Sequence, residues 1–159
     1  MRIISGSFKG KKILQPKDIK TRPLKDLTKE SIFNIINHSN KFKINLASSN
    51  ILDLFSGVGS FGIECLSRGV KKVTFIENYQ GVIPLLKKNL FGLKTIQNYE
   101  IIEKNIYNEN IFLKLKNKFD IIFDIPYTFC SIILKLSGKV SFSFLCLCKI
   151  IIPFLFSIS

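Results

Sequence analysis

The sequence predicts an α/β fold built on a doubly wound, mainly parallel sheet. Short apolar runs alternate with longer amphipathic stretches between residues 51 and 123. The runs are largely apolar rather than alternating, the pattern of strands covered by helices on both faces. Glycines mark the junctions, at Gly57, Gly59, Gly69 and Gly81.

Residues 1–50 read as a small basic N-terminal extension, with Arg2-Ile3-Ile4, Gly6 and the stretch Lys9-Gly10-Lys11-Lys12. Pro23 biases Arg22 to an extended conformation. A helix is expected from Lys25 to Asn37, with Leu27, Ile32, Phe33, Ile35 and Ile36 on its apolar face. A polar connection, holding the lone His38, leads to residue 50. Residues 51–128 form the core domain. Strands are expected at Ile51–Phe55, Lys72–Glu77, Tyr99–Ile102 and Asp120–Phe123. Helices are expected at Phe61–Arg68, Gly81–Asn89 (Pro84 in the tolerant first turn) and around Ile111–Leu115. Residues 129–159 break the pattern as an atypical apolar tail. The edge of the fourth strand is left open there, with Val140-Ser-Phe-Ser-Phe-Leu145 as a makeshift partner.

Charge follows this division. The chain of 159 residues carries 24 Lys+Arg and 11 Asp+Glu, a net charge of +13. Residues 1–50 hold eleven bases and three acids, residues 51–128 ten and eight, and residues 129–159 three lysines and no acid. An apolar content of 47% excludes a disordered acidic chain. The basic excess favours polyanionic partners, and its plain alternative is a solvated lysine-rich face. Cys65, Cys130, Cys146 and Cys148 lack zinc-like spacing, so no metal is expected. Free thiols and a charged N-terminus point to the cytoplasm. Lys149 and Pro153 interrupt the apolar run from Val140 to Ile158, so a membrane location is not expected.

The stretch Asp53-Leu-Phe-Ser-Gly57-Val-Gly59-Ser-Phe-Gly62 reads as strand, glycine turn and helix start. The glycines let the backbone approach a ligand, and the helix N-terminus offers N–H groups. Glu77 ends the next strand, twenty residues after Gly57, where a carboxylate accepts both hydroxyls of a ribose. The plain alternative is a turn that only packs helix on strand, with Glu77 a surface charge. A dinucleotide and S-adenosyl-L-methionine both suit the G-x-G-x-x-G turn. Asp53 tilts the choice, since an acid repels a pyrophosphate and attracts a sulfonium or an ammonium.

Asp124-Ile125-Pro126-Tyr127 lies at the carboxyl end of the fourth strand. Asp124 is placed to accept one N–H of an exocyclic amine on a base and the Ile125 carbonyl the other. Pro126 fixes the turn and Tyr127 stacks on the base. That reading fits guanine N2 and equally adenine N6 of DNA or RNA. It speaks against an NAD oxidoreductase.

These residues resemble a family, the guanine-N2 methyltransferases of 16S ribosomal RNA in the small subunit. The matching pieces are Met1-Arg-Ile-Ile-Ser-Gly6 with Lys9-Gly-Lys11, Thr21-Arg-Pro23, Lys29-Glu30 and Ser31-Ile-Phe-Asn-Ile-Ile36. They continue with Asp53 through Glu64, Leu66-Ser-Arg-Gly69, Phe75-Ile-Glu-Asn78 and Phe119-Asp-Ile-Ile-Phe-Asp124. The resemblance covers residues 1 to about 128. It implies a Rossmann-like class I methyltransferase fold, with S-adenosyl-L-methionine as cofactor. It implies a monomer acting on 16S rRNA in the small subunit or its assembly intermediate. Asp53, Gly57 and Gly59 would line the methionine end, with Phe55 and Asn78 in the same set. Glu77 would hold the ribose, and Asn105 would stand by the adenine where the family has an acid. Asp124, Pro126 and Tyr127 would hold the target base. Lys9, Lys11, Lys12 and Arg22, with Lys17, Lys20 and Lys25, would face the RNA. The family's Asp-Pro-Pro-Tyr is here Asp-Ile-Pro-Tyr, and residues 129–159 match none of its later elements. That tail reads as a shifted-frame product and the chain as a truncated form, in the extreme an inactive remnant.

Overall fold

The computed structural model describes residues 1–17, 24–38, 44–107, 115, 118–124, 131–136 and 139–141. The elements are α1 (Asp26–His38), β1 (Asn50–Leu54), α2 (Ser60–Ser67), β2 (Lys72–Ile76), α3 (Ile83–Phe91), β3 (Tyr99–Ile102), β4 (Ile121–Asp124), β5 (Ser131–Leu136) and β6 (Lys139–Ser141), with a 3-10 turn at Leu46–Ser48. The third expected helix, around Ile111, lies outside the described residues, as do Pro126, Tyr127 and Arg22. So does most of the apolar tail; no helix among the described residues is long and apolar enough to cross a membrane.

The sheet order is β3-β2-β1-β4-β5-β6. β1 pairs parallel with β2 and β4, and β2 with β3. The chain thus winds both ways from β1, and the carboxyl ends of β1 and β4 meet where the order reverses, with Leu54 opposite Asp124. β1 alternates its faces. Ile51 packs in the larger cluster with α1 and α2, and Leu52 and Leu54 pack with Ile76 and Phe119.

The edge of β4 is paired rather than open. β5 lies antiparallel on it, with Ile121 opposite Leu134, and β6 pairs with β5. Only residues 125–130 join β4 to β5. That is too short for the crossover a parallel strand needs, so the chain turns straight back. Val140 and Ser141 therefore lie one strand further out than the sequence predicts. Two smaller corrections concern α1. His38 is its last residue rather than part of a connection, and Leu27 is exposed. The buried stripe runs Lys29, Ile32, Phe33 and Ile36, and Leu27 sits roughly 200° round the helix from Lys29.

Residues 1–14 share the main core instead of standing apart from it. Arg2 and Lys12 bridge antiparallel, and Ile3 and Ile13 are buried with residues of α1, α2 and the sheet. The Phe33, Phe61 and Phe123 rings stack in sequence, with centroids 5.4 and 3.7 Å apart, and join α1, α2 and β4. The hairpin is fastened mainly to α2. Glu64 accepts the N–H groups of Ile4 (2.8 Å) and Ser5 (2.9 Å). Ser67 accepts those of Ser7 and Phe8 through its carbonyl and hydroxyl. Gly6 has φ +82°, and a Cβ there would lie 1.9 Å from the Ser67 carbonyl oxygen, so only glycine fits.

Glu64 is fully buried, and so is Lys29. The Lys29 ammonium lies 3.8 Å from Glu64 and 3.3 Å from Asp26, and donates to the Arg2 carbonyl at 2.6 Å. Arg68 bonds Glu64 at 3.1 Å, and its guanidinium lies over the Phe33 ring. Removing one partner from a buried ion pair strands the others without solvent. Glu64→Ala is therefore expected to cost about 3–5 kcal/mol, and Glu64→Gln less, because the amide oxygen keeps an acceptor for the hairpin. Urea denaturation tests this, and a loss below about 1 kcal/mol for Glu64→Ala, no more than an average substitution, would contradict the role.

Candidate active site

The site is built at the carboxyl ends of β1, β2 and β4. After Leu54 the chain turns sharply, and Phe55 takes a left-handed φ of +52°, a costly conformation for a non-glycine residue. Its ring packs against Tyr107 beyond β3, at 5.7 Å. Ser56 ties the turn to β2. Its hydroxyl donates to the Asp53 carbonyl at 2.6 Å, and its N–H to that of Ile76 at 3.0 Å. Gly57 and Gly59 follow at φ +56° and +83°. A Cβ on Gly57 would meet nothing closer than the Phe55 carbonyl at 4.0 Å, so the backbone there faces open space. A Cβ on Gly59 would lie 2.5 Å from Leu86.

Asp53 sits beneath this turn and is buried. Its carboxylate accepts the N–H of Gly62, in the first turn of α2, at 2.9 Å. Gly62 permits this approach, since a Cβ there would be 2.2 Å from Phe75 and 2.9 Å from the carboxylate. Burial pushes the Asp53 carboxyl up to about 8, against the Gly62 N–H bond and with help from the charge of Glu77. The positive end of α2 is thus already occupied by an internal carboxylate. That disfavours a pyrophosphate, whereas a bound cation would favour release of the proton that the buried carboxyl holds in the free protein.

Glu77 follows β2 and is buried, not a surface charge. It accepts three backbone N–H groups, from Gly57 at 2.7 Å and from Asn78 and Tyr79 at 2.9 Å each. A carboxylate has about four acceptor positions, so one remains for a hydroxyl while the turn keeps this form. Asn78 itself is exposed. Asn105 accepts the Tyr107 N–H at 2.9 Å and so shapes the loop beyond β3. Asp124 closes β4 beside Leu54, and burial raises its carboxyl above the ordinary value.

Asp53, Phe55, Gly57, Gly59, Glu77, Asn78, Asn105 and Asp124 therefore stand at one end of the sheet. Lys9, Lys11 and Lys12 do not join them. Helices that follow parallel strands return to the amino end, and the hairpin meets the C-termini of both α2 and α3, through Ser67 and Gly92. Sequence reasoning missed Ser56, the pairing of Tyr107 with Phe55, and Asn89, which donates to the Val58 carbonyl in the turn at 3.1 Å. A glycine inside a helix signals close approach at Gly62, whereas nothing in the sequence marks Tyr107.

This architecture is that of a Rossmann-like α/β protein. The chain belongs to the family described as Conserved hypothetical protein 95, whose model matches residues 1–141 and so includes β5 and β6. It is 37% identical over 134 residues to ribosomal RNA small subunit methyltransferase D of Haemophilus influenzae, covering 81% of this chain and 65% of that protein. It is 33% identical over 105 residues to the protein of the same name from Escherichia coli K12, covering 66% of this chain and 50% of that one. The solved structure of yhhF from Escherichia coli, which carries a provisional methyltransferase name, is 32% identical with a TM-score of 0.64, over 80% of this chain and 64% of that one. The chain thus spans between half and two thirds of the length of these relatives.

Gly57 and Gly59 of the turn and Gly62 of α2 should differ in what a methyl group does. Gly57→Ala is expected to cost about 1–2 kcal/mol, the strain of a left-handed residue in open space. Gly59→Ala should cost more, since Leu86 must also move, and Gly62→Ala about 3 kcal/mol or more through collision with Phe75. Chemical denaturation ranks them, and equal losses would contradict the packing described.

Proposed function

We propose that the chain transfers the methyl group of S-adenosyl-L-methionine to the exocyclic N2 of a guanine in 16S rRNA, within the small subunit or its assembly intermediate. In this reading it works in the cytoplasm as a monomer. The observation that carries it is the Asp53 carboxylate, buried beneath an open glycine turn and already filling the N-terminus of α2. Such a site rewards a cationic ligand and penalises a dinucleotide. The names of the curated relatives supply the rRNA.

When bound, the cofactor supplies a methyl group on a sulfonium, a strong electrophile with a neutral leaving group. Its methionine end would lie over Gly57 and Gly59, in the field of Asp53. Phe55 and Asn78 would border it, Glu77 would take a ribose hydroxyl at its remaining acceptor position, and Asn105 would stand near the adenine. Asp124 would accept one N–H of the guanine amine, leaving the nitrogen lone pair directed at the methyl carbon. That bond strengthens as the nitrogen becomes positive, which is selective stabilisation of the transition state. Pro126 and Tyr127 would complete the base site. Lys9, Lys11, Lys12 and Arg22 would contact the RNA backbone.

Two predictions test this. A bound cation favours ionised Asp53, whose carboxyl is raised to about 8 in the free protein. Cofactor affinity should therefore rise towards tenfold per unit between about pH 5.5 and 7.5, where the cofactor amine keeps its proton. Stability of the free protein should fall over the same window, because the folded state holds a proton that the unfolded chain releases. Asp53→Asn should flatten both dependences, as read by calorimetry and by melts; a pH-independent affinity in the parent would refute the cation site.

Asp124→Ala should lower turnover by about a hundredfold or more while leaving cofactor affinity within a few-fold. With the Asp124 carboxyl raised by burial, turnover should fail on the acid side at a pH above that of an ordinary aspartate. Nucleoside digestion of treated small subunits should yield N2-methylguanosine, and N6-methyladenosine would overturn the assignment of the base.

A further inference from the structure

Residues 1–17 contain Arg2, Lys9, Lys11, Lys12 and Lys17 and no acid, and residues 78–99 contain Lys87, Lys88 and Lys94 and no acid. The fold lays these two segments side by side. Asn89 of α3 grips both backbone groups of Leu14, accepting its N–H at 2.8 Å and donating to its carbonyl at 3.2 Å. Lys11 reaches across and donates to the Gly92 carbonyl at the end of α3. Lys87 is paired with Glu103, while Lys9, Lys12, Lys88 and Lys94 are exposed.

Phe91 stands among these cations, 79% exposed on the last turn of α3. Lys88 is one helical turn before it, Lys11 sits on the residue after it, and Lys94 follows three residues later. The ring adds little to the core from there. One exposed ring with lysines three residues to either side of it is too small for an apolar protein partner. It has the composition of a single-strand RNA site, where phosphates meet cations and a base lies on the ring. A duplex has no unstacked base to offer.

We propose that the C-terminal end of α3 and the adjoining hairpin form a docking surface for an unpaired segment of the RNA substrate, with Phe91 stacking on one base. This rests on the reading of RNA as the substrate. Phe91 and Lys94, at and beyond the C-terminal end of α3, lie towards the amino ends of the strands, whereas Asp53 and Asp124 stand at the carboxyl ends of β1 and β4. The docking surface therefore contributes to RNA affinity and not to the chemical step.

The test uses the full chain, a fluorescein-labelled unstructured RNA of about 12 nucleotides, within the span of single-strand sites, and a duplex of equal charge. Phe91→Ala is expected to weaken single-strand binding by about 5- to 150-fold, the loss of one base–aromatic stack, with duplex binding unchanged. Phe91→Trp should restore it. Lys88→Ala with Lys94→Ala should weaken both RNAs and reduce the single-strand salt slope by about 1.4. Cofactor affinity and melting should stay at parental values in all of these. Parental single-strand affinity in Phe91→Ala would overturn the proposal, as would a Phe91-dependent dimer by sedimentation with no change in RNA affinity. A parent chain that binds cofactor but neither RNA would remove the substrate reading itself, and the docking surface with it.

Discussion

The carboxylate of Glu64 is the contact on which the arrangement of the N-terminal third depends. Apolar packing is non-directional, so Ile3, Ile13 and Phe33 alone would bring residues 1–14 and α1 against α2 without fixing their register. A fully buried charge does fix it. It must be answered by specific partners at specific distances, and here they come from three segments: the amides of Ile4 and Ser5, the ammonium of Lys29 and the guanidinium of Arg68. Lys29 in turn needs Asp26 and the Arg2 carbonyl to be satisfied. A slip of one residue in the hairpin would take the Ile4 and Ser5 amides from Glu64 and the Arg2 carbonyl from Lys29, leaving buried charges short of hydrogen bonds.

The same logic operates in the crevice with opposite effect. Asp53 is buried with one hydrogen bond from Gly62 and with Glu77 as an acidic neighbour, so its charge is under-compensated. Where Glu64 is answered inside the fold, Asp53 leaves a demand that a bound cation would meet. The turn above it is held open by Glu77, which grips Gly57, and by Asn89, which grips the carbonyl of Val58. The same Asn89 side chain holds Leu14, so the hairpin and the glycine turn share a fixed reference point on α3.

Much of this was legible from the residues. The run Tyr99–Ile102 is a strand at its expected limits, and β1, β2, β4, α1 and α2 begin or end within about one residue of expectation. These segments pair apolar periodicity with clear punctuation, such as Gly57–Gly59 and Gly69. That these strands run parallel follows from strand–helix alternation, whereas their order, β3-β2-β1-β4, does not, since doubly wound sheets occur with more than one order. Contacts set by three-dimensional neighbours were not legible. Glu77 was marked by its position after β2, but its three amide partners depend on how the turn folds back. Lys29 and Glu30 are adjacent lysine and glutamate, and only the phase of α1 buries one and exposes the other. The partner of β4 was misjudged because local alternation near Val140 says nothing about the length of the connection, and that length decides.

The fastening of the hairpin to α2 also sets a schedule. Ile4 and Ser5 bond a side chain sixty and fifty-nine residues further along. A ribosome adding about 5–20 residues per second needs about 3–12 s to make that stretch. Through that interval Ile3 and Ile13 have no surface to cover them, and the hairpin is a short two-stranded piece of a kind that is marginal in water by itself. Residues 1–14 are thus synthesised before the surface that orders them. The span during which the nascent chain is open to chaperones or to misassociation is governed by translation speed between codons 5 and 64.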